Sequence, residues 1–149
     1  MPVKLRMCLS VVLLGSMLVA AGCSDDEASS SEDTIKVGVL ASMTGPLEVY
    51  GKQTVQGFEL GLDYATDGKM EVDGKKIEFI VEDTETKPDV AVKQATKLLE
   101  EDEVDFLVGS SSSGDTLAVL PLAEEYEKIM VVEPAVADSI TGENWNRYI

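Results

Sequence analysis

The 149-residue chain carries 28 acidic against 12 basic residues and no histidine. Nucleic acid, which is held by clustered Lys and Arg, is therefore a poor partner, and His-based triads and Cys/His zinc sites have no residues to build them. Of the two cysteines, Cys8 and Cys23, the first falls in the leader described next, so the mature chain can form no internal disulfide.

Residues 1–22, MPVKLRMCLSVVLLGSMLVAAG, place Lys4 and Arg6 before an uncharged, mostly apolar run from Met7 to Gly22. This is the layout of an export signal, and the run is shorter than the roughly 20 residues of a membrane-spanning helix. Ala20, Ala21 and Gly22 before Cys23 resemble the bacterial lipobox, which implies lipid on Cys23 and an anchor in the membrane, although Ala20 stands where that motif usually has leucine. Removing Lys4 and Arg6 leaves 10 basic against 28 acidic residues, a net charge of −18. Residues 23–33, CSDDEASSSED, lack a large apolar side chain after the cysteine and read as a solvated acidic tether.

From Thr34 onward apolar runs alternate with amphipathic segments. Ile35 to Ala41 reads as a buried strand, and Tyr50 to Ala65 sets Val55, Phe58, Leu62 and Ala65 at helical spacing. DGKMEVDGKK holds turn signals and reads as a loop. Lys76 to Asp83 alternates Ile77, Phe79 and Val81 with Glu78, Ile80 and Glu82; KPDVAVKQATKLLEE then carries Val92, Ala95 and Leu99 on one helical face. Val104–Val108 and Ile129–Val132 predict two more strands, around a helix over Thr116–Tyr126 in which Pro121 either makes a kink or starts the regular part.

Strands alternating with helices predict an α/β fold, a doubly wound parallel sheet covered on both faces, here over residues 34–149. Ligands of such sheets sit beyond the carboxyl ends of the strands, where the strand order reverses. With the common order 2-1-3-4 the reversal lies between the first and third strands, which brings together the loops SMTGPLEVYG, Ser42 to Gly51, and GSSSSGDT, Gly109 to Thr116. A row of serines before a helix serves as a cap, or as a cradle for an anion made of hydroxyls and free helix N–H groups.

Four segments in order resemble the type I periplasmic binding proteins of the branched-chain amino acid group, the extracytoplasmic receptors of ABC importers. They are IKVGVLASMTGPLEVYGKQTVQGFELGLD, GKKIEFIVEDTETKPDVAVKQATKLL, VDFLVGSSSSGDTLAVLPLAEEY and EPAVADSITGENWNRYI. The resemblance implies the Rossmann-like N-terminal lobe of a two-lobed receptor that closes over a small amino acid-like, amide or carboxylate solute and delivers it to permease subunits. The second lobe is absent, so the chain is expected to be a truncated or partial sequence. No cofactor and no catalytic residue is implied.

Carried over position by position, Tyr50 matches the aromatic that covers the ligand, Ser113 matches the serine whose hydroxyl and backbone hold the ligand carboxylate, and Ser112 is its neighbour. Ala135 and Ala137 match further contact positions. The chain departs from the pattern at Ala137, where threonine is common, and at Glu133, where serine is usual; a hydroxyl donor is lost and a negative charge gained. Two other readings are a sensory ligand-binding domain on the same fold and a lipoprotein hydrolase using Ser112 or Ser113. The hydrolase would need Asp, Glu or Lys as its base, and GSSSSG does not match the GxSxG elbow.

Overall fold

The computed structural model describes residues 33–149. The export signal, Cys23 and nearly all of the acidic tether lie outside the described residues. The elements are β1 (Thr34–Ala41), α1 (Glu48–Ala65), β2 (Glu71–Val72), β3 (Lys75–Asp83), α2 (Pro88–Glu100), β4 (Phe106–Gly109), α3 (Ser113–Glu125), β5 (Ile129–Val131) and α4 (Asp138–Thr141).

One five-stranded sheet has the order β2-β3-β1-β4-β5. The four long-range strands pair in parallel, with Val39 opposite Val81 on one side and opposite Val108 on the other. This is the expected order, with the reversal between β1 and β4. The one addition is β2, which pairs antiparallel with β3 through Glu71–Lys76 and Val72–Lys75, so the DGKMEVDGKK stretch is a short hairpin at the sheet edge and not a plain loop. Its turn, Asp73-Gly74, places both residues at positive φ, which suits the Asp-Gly pair.

Each parallel connection crosses through a helix, and the handedness of such crossovers puts α1 on one face and α2 with α3 on the other. The core divides accordingly. On the α1 face Val37, Val39 and Val108 pack with Val55, Phe58, Ile77, Phe79 and Val81, and the rings of Phe58 and Phe79 meet edge to face at 5.5 Å. On the other face Leu40, Leu107 and Met130 pack with Ala91, Ala95, Leu98 and Leu99 of α2 and Val119, Leu120 and Ala123 of α3. Period-two alternation along β3 divides Ile80 from Ile77, Phe79 and Val81 in this way.

The helices follow from local chemistry. Pro88 starts α2 with its φ already set, Asp89 lies at the positive end of the helix dipole and Lys97 at the negative end. Lys97 also pairs with Glu82 at 2.7 Å and Asp102 at 2.9 Å, and both carboxylates raise its pKa. α3 begins at Ser113, three residues earlier than the apolar pattern predicts, because Ser112 caps it. Pro121 lies inside α3 on its exposed side. β4 begins at Phe106 and not at Val104: the Lys36 N–H donates to the Asp105 carboxylate, and the Asp105 N–H to the Lys36 carbonyl, which fixes the entry to the strand, while Val104 is buried ahead of it.

After α4 the chain turns back over α3 and β5. The buried Asn146 amide donates to the Leu120 carbonyl at 3.2 Å, and the Met130 N–H donates to the Tyr148 carbonyl at 2.7 Å. None of the described helices is long and apolar enough to cross a membrane.

Candidate functional site at the strand-order reversal

The carboxyl ends of β1, β3 and β4 converge on a group of polar residues that are buried together: Ser42, Thr84, Ser110, Ser111, Asp115 and Thr116. Buried hydroxyls must find partners, and these find one another. The four serines of the row have four different tasks. Ser110 is enclosed, its hydroxyl 3.3 Å from that of Thr116 and donating to the Ser112 carbonyl at 3.0 Å. Ser111 accepts the N–H of Ser42 at 3.3 Å and so ties the loop after β4 to the loop after β1. Ser112 is the N-cap of α3 and accepts the Asp115 N–H at 3.4 Å.

Ser113 reaches a third loop. Its hydroxyl oxygen accepts the N–H groups of both Val136 and Ala137, each at 3.2 Å. Two acceptances use both lone pairs, so the hydroxyl proton is left to donate outward. The hydroxyl stands at the first turn of a 13-residue helix, where the N–H groups have no intrahelical acceptor and the dipole favours negative charge. A half-exposed serine held this way keeps its hydroxyl proton free of the two N–H donors.

Two glycines allow the loops to come this close. Gly109 has φ +126°, and a Cβ there would stand 2.1 Å from the Leu40 carbonyl oxygen; a Cβ on Gly51 would stand 2.2 Å from that of Ser42. Hence β4 can end against β1, and the first turn of α1 can press on the loop after β1.

The β3 end supplies a further brace. Asp83 accepts hydrogen bonds from the N–H groups of Met43 (2.9 Å), Thr44 (3.1 Å) and Glu85 (2.8 Å) and from the Thr44 hydroxyl (2.7 Å). Burial pushes this carboxyl up, but the four hydrogen bonds outweigh it and hold its pKa below the ordinary value. Asp115 is the opposite case: burial raises its pKa, and the nearby Thr84 and Ser112 hydroxyls only partly offset that.

Of the residues expected from the sequence, Ser112, Ser113 and Ala137 are brought together, Ala137 through its N–H on the Ser113 hydroxyl. Ala135 packs against the α3-side core. Tyr50 stands apart: it is 59% exposed and lines a groove of about 530 Å³ between α1 and the β4–β5 half of the sheet, opposite Glu133. None of the four serines lines that groove. Sequence reasoning missed Ser42, Asp83, Thr84 and Asp115. Signals for them exist: Asp-Thr at the end of an alternating strand is suited to binding free loop N–H groups, and Ser112-x-x-Asp115 has capping-box spacing.

Comparison with known proteins agrees with this architecture. The family model described as "Periplasmic binding protein" matches residues 34–149. A leucine-, isoleucine-, valine-, threonine- and alanine-binding protein of Pseudomonas aeruginosa is 28% identical over 133 residues, 89% of this chain and 34% of the relative. The crystal structure of an ABC-type branched-chain amino acid transporter from Rhodopseudomonas palustris CGA009 superposes with a TM-score of 0.75 at 50% identity, over 76% of this chain and 31% of that one. A solute-binding protein of an ABC transporter from Rhodopseudomonas palustris BisB5, in complex with 3,4-dihydroxybenzoic acid, does so with a TM-score of 0.71 at 34% identity, over 78% of this chain and 31% of that one. The chain thus spans about a third of the length of the proteins it matches. With the parallel sheet, its strand order and a family match over every residue from Thr34 onward, the chain belongs to the periplasmic binding protein family.

Proposed function

We infer that the chain is the first lobe of the solute-capturing component of an ABC importer, which acts outside the cytoplasmic membrane and is held there by lipid on Cys23. The cradle at the start of α3 takes the carboxylate of a small solute. The observation that carries this is the Ser113 hydroxyl, whose oxygen is saturated by Val136 and Ala137 and whose proton is aimed by that saturation. Neutral donors suit reversible capture, since a carboxylate held by dipoles and hydroxyls leaves without separating a buried ion pair.

The solute class is a small carboxylate, aliphatic or aromatic. One relative is named for branched-chain amino acids and another was crystallised with 3,4-dihydroxybenzoic acid. Ala137 gives its N–H to the Ser113 hydroxyl and brings no side-chain donor, where a threonine would add a hydroxyl. Tyr50, on the rim of the groove beside α1, covers the solute when a second lobe closes over it, and permease subunits receive the closed receptor. The serine-nucleophile alternative fits poorly, because the hydroxyls of Ser112 and Ser113 are engaged by N–H donors and the acid beside Ser112, Asp115, is shielded from solvent. The sensory alternative shares the same site and differs only in its partner.

Calorimetry on a receptor of the relatives' length carrying this lobe, with isoleucine and 3,4-dihydroxybenzoate as probes, tests the reading. Losing one charge-assisted hydrogen bond of roughly 1.5–3 kcal/mol makes Ser113→Ala bind about tenfold to a hundredfold more weakly. Unchanged affinity in that variant would remove the cradle from the mechanism.

A further inference from the structure

Asp115 is the buried group for which the site as described has no use. Its side chain is fully shielded from solvent, and neither carboxylate oxygen accepts a hydrogen bond of ordinary geometry from the described residues. It occupies the first turn of α3, three residues after the N-cap. In a capping box an acid at this place reaches back to the N-cap N–H. Here it lies beside the hydroxyls of Thr84 and Ser112 instead. Thr84 Oγ1 shares a hydrogen bond with Ser42 Oγ at 3.1 Å, and the Ser42 N–H donates to Ser111 Oγ at 3.3 Å. The row Asp115, Thr84, Ser42, Ser111 therefore runs from α3 through the ends of β3 and β1 and back to the serine loop.

We propose that Asp115 is a positioning residue for the anion cradle, joining the loops after β1, β3 and β4 in its protonated form and loosening them when it ionises. A neutral carboxyl has one O–H to donate to Thr84 Oγ1. That oxygen also accepts the Thr86 N–H at 3.4 Å, so Thr84 is left to donate to Ser42. Ionisation reverses the row. Thr84 must then donate to the carboxylate and accept from Ser42, and a full charge is buried one turn from where the cradle would hold a second negative charge.

Among the described residues no cation offsets that charge. From the loop between β3 and α2, Asp83 is engaged with the loop after β1, and Lys87 is paired with Glu85 at 2.7 Å. α2 turns Pro88 toward Gly114, the neighbour of Asp115, and α3 itself supplies the Ser112 hydroxyl. Burial favours the protonated form for the same reason, and the two hydroxyls oppose it only in part.

The proposal rests on the reading of the α3 N-terminus as an anion cradle only for its use, so its test needs no ligand. Amide hydrogen exchange at Ser42, Thr86 and Asp115, whose N–H groups donate to the Ser111, Thr84 and Ser112 hydroxyls, and carboxyl NMR of Asp115 are followed in the intact chain for the wild type, D115N and D115A, from about pH 5 to about pH 8. The wild type is expected to exchange slowly while Asp115 is protonated and at least about tenfold faster, relative to free peptide, once it ionises. D115N keeps a donor to Thr84 and stays slow throughout, and D115A is fast throughout. A wild type and D115N that exchange alike over the whole range, or a D115A variant as protected as the wild type, overturns the proposal. Isoleucine and 3,4-dihydroxybenzoate are added in a separate arm; if neither binds, the ligand reading fails while the exchange result stands on its own.

Discussion

The N–H of Ser42 donates to the hydroxyl of Ser111 at 3.3 Å, across the point where the strand order reverses. Both residues are buried, so the bond is the direct mechanical link between the loop after β1 and the loop after β4. Ser111→Ala leaves the Ser42 N–H without an acceptor, which costs about 1–3 kcal/mol. Urea unfolding should show a lower midpoint with an unchanged slope, and an unchanged midpoint would mean that the two loops are held otherwise.

Ser110 and Ser113 stand three residues apart in the same row and are expected to fail in different ways. Ser110 is enclosed with Thr116 and has no route to a ligand, whereas Ser113 is partly exposed. Ser110→Ala is expected to lower stability by about 1 kcal/mol, the typical net worth of one hydrogen bond, with probe affinity kept within a few-fold. Ser113→Ala should show the reverse. Parallel thermal melts and calorimetry on the two variants separate the roles.

Gly109 has little tolerance for substitution. An alanine Cβ would fall 2.1 Å from a backbone oxygen that cannot move without disrupting β1, and φ +126° is closed to side-chain-bearing residues. The loss is expected to exceed the roughly 1–3 kcal/mol of backbone strain alone, because the clash adds to it. Gly109→Ala should therefore yield little folded protein by circular dichroism. A variant that folds with wild-type stability contradicts the close approach of β4 to β1.

Asp83 sets an acid limit. Its folded-state pKa lies below the ordinary value, so it contributes stability that is complete above the unfolded-state value and is lost as the pH falls through the folded-state value. Unfolding midpoints should decline between about pH 5 and about pH 2, and Asp83→Asn should start lower and decline less over that range. Asp115 has the opposite sign: with a raised folded-state pKa, its contribution is present at low pH and lost as the pH rises from the ordinary carboxylate value through the folded-state one, so Asp115→Asn should remove that decline.

Leu98 tests the core between α2 and the sheet. It is fully buried, and its Cδ1 fills the space that Gly38 leaves open on β1. Leu98→Ala should cost about 2–5 kcal/mol, at the lower end if neighbouring side chains close over the cavity. A cost below 1 kcal/mol would show that this layer is not tightly packed.

Most of the fold was legible in the sequence because burial leaves a periodic trace. Ile77, Phe79 and Val81 alternate with Ile80 since a central strand has two faces to fill, and Ala95 and Leu99 recur at helical spacing since α2 has one, although Ala91 and Leu98 fill the core beside them and Val92, expected there, is only partly buried. The strand order follows from the crossovers, and with it the place where Ser42 and the serine row must meet. The hairpin at β2 escaped, because two exposed residues carry no apolar pattern. The start of α3 was set three residues late for a related reason: its first turn is chosen by the Ser112 cap and contains no apolar residue.

The division of labour within the site could come only from the tertiary structure. Four serines in a row are chemically alike, and only the family resemblance singles out Ser112 and Ser113 among them. What separates them is which other loop each one meets: Ser111 the loop after β1, and Ser113 the N–H groups of Val136 and Ala137, which lie more than 20 residues further along the chain. Asp115 is a sharper case. From the sequence it is an ordinary acid at a helix N-terminus, where an exposed carboxylate would stay charged; folding carries it beneath Thr84 and out of reach of water, and burial then works against its charge. Local spacing determines helices and strands, but the partners of a polar side chain are set by contacts distant in sequence, and those partners decide whether a hydroxyl is a brace or a donor.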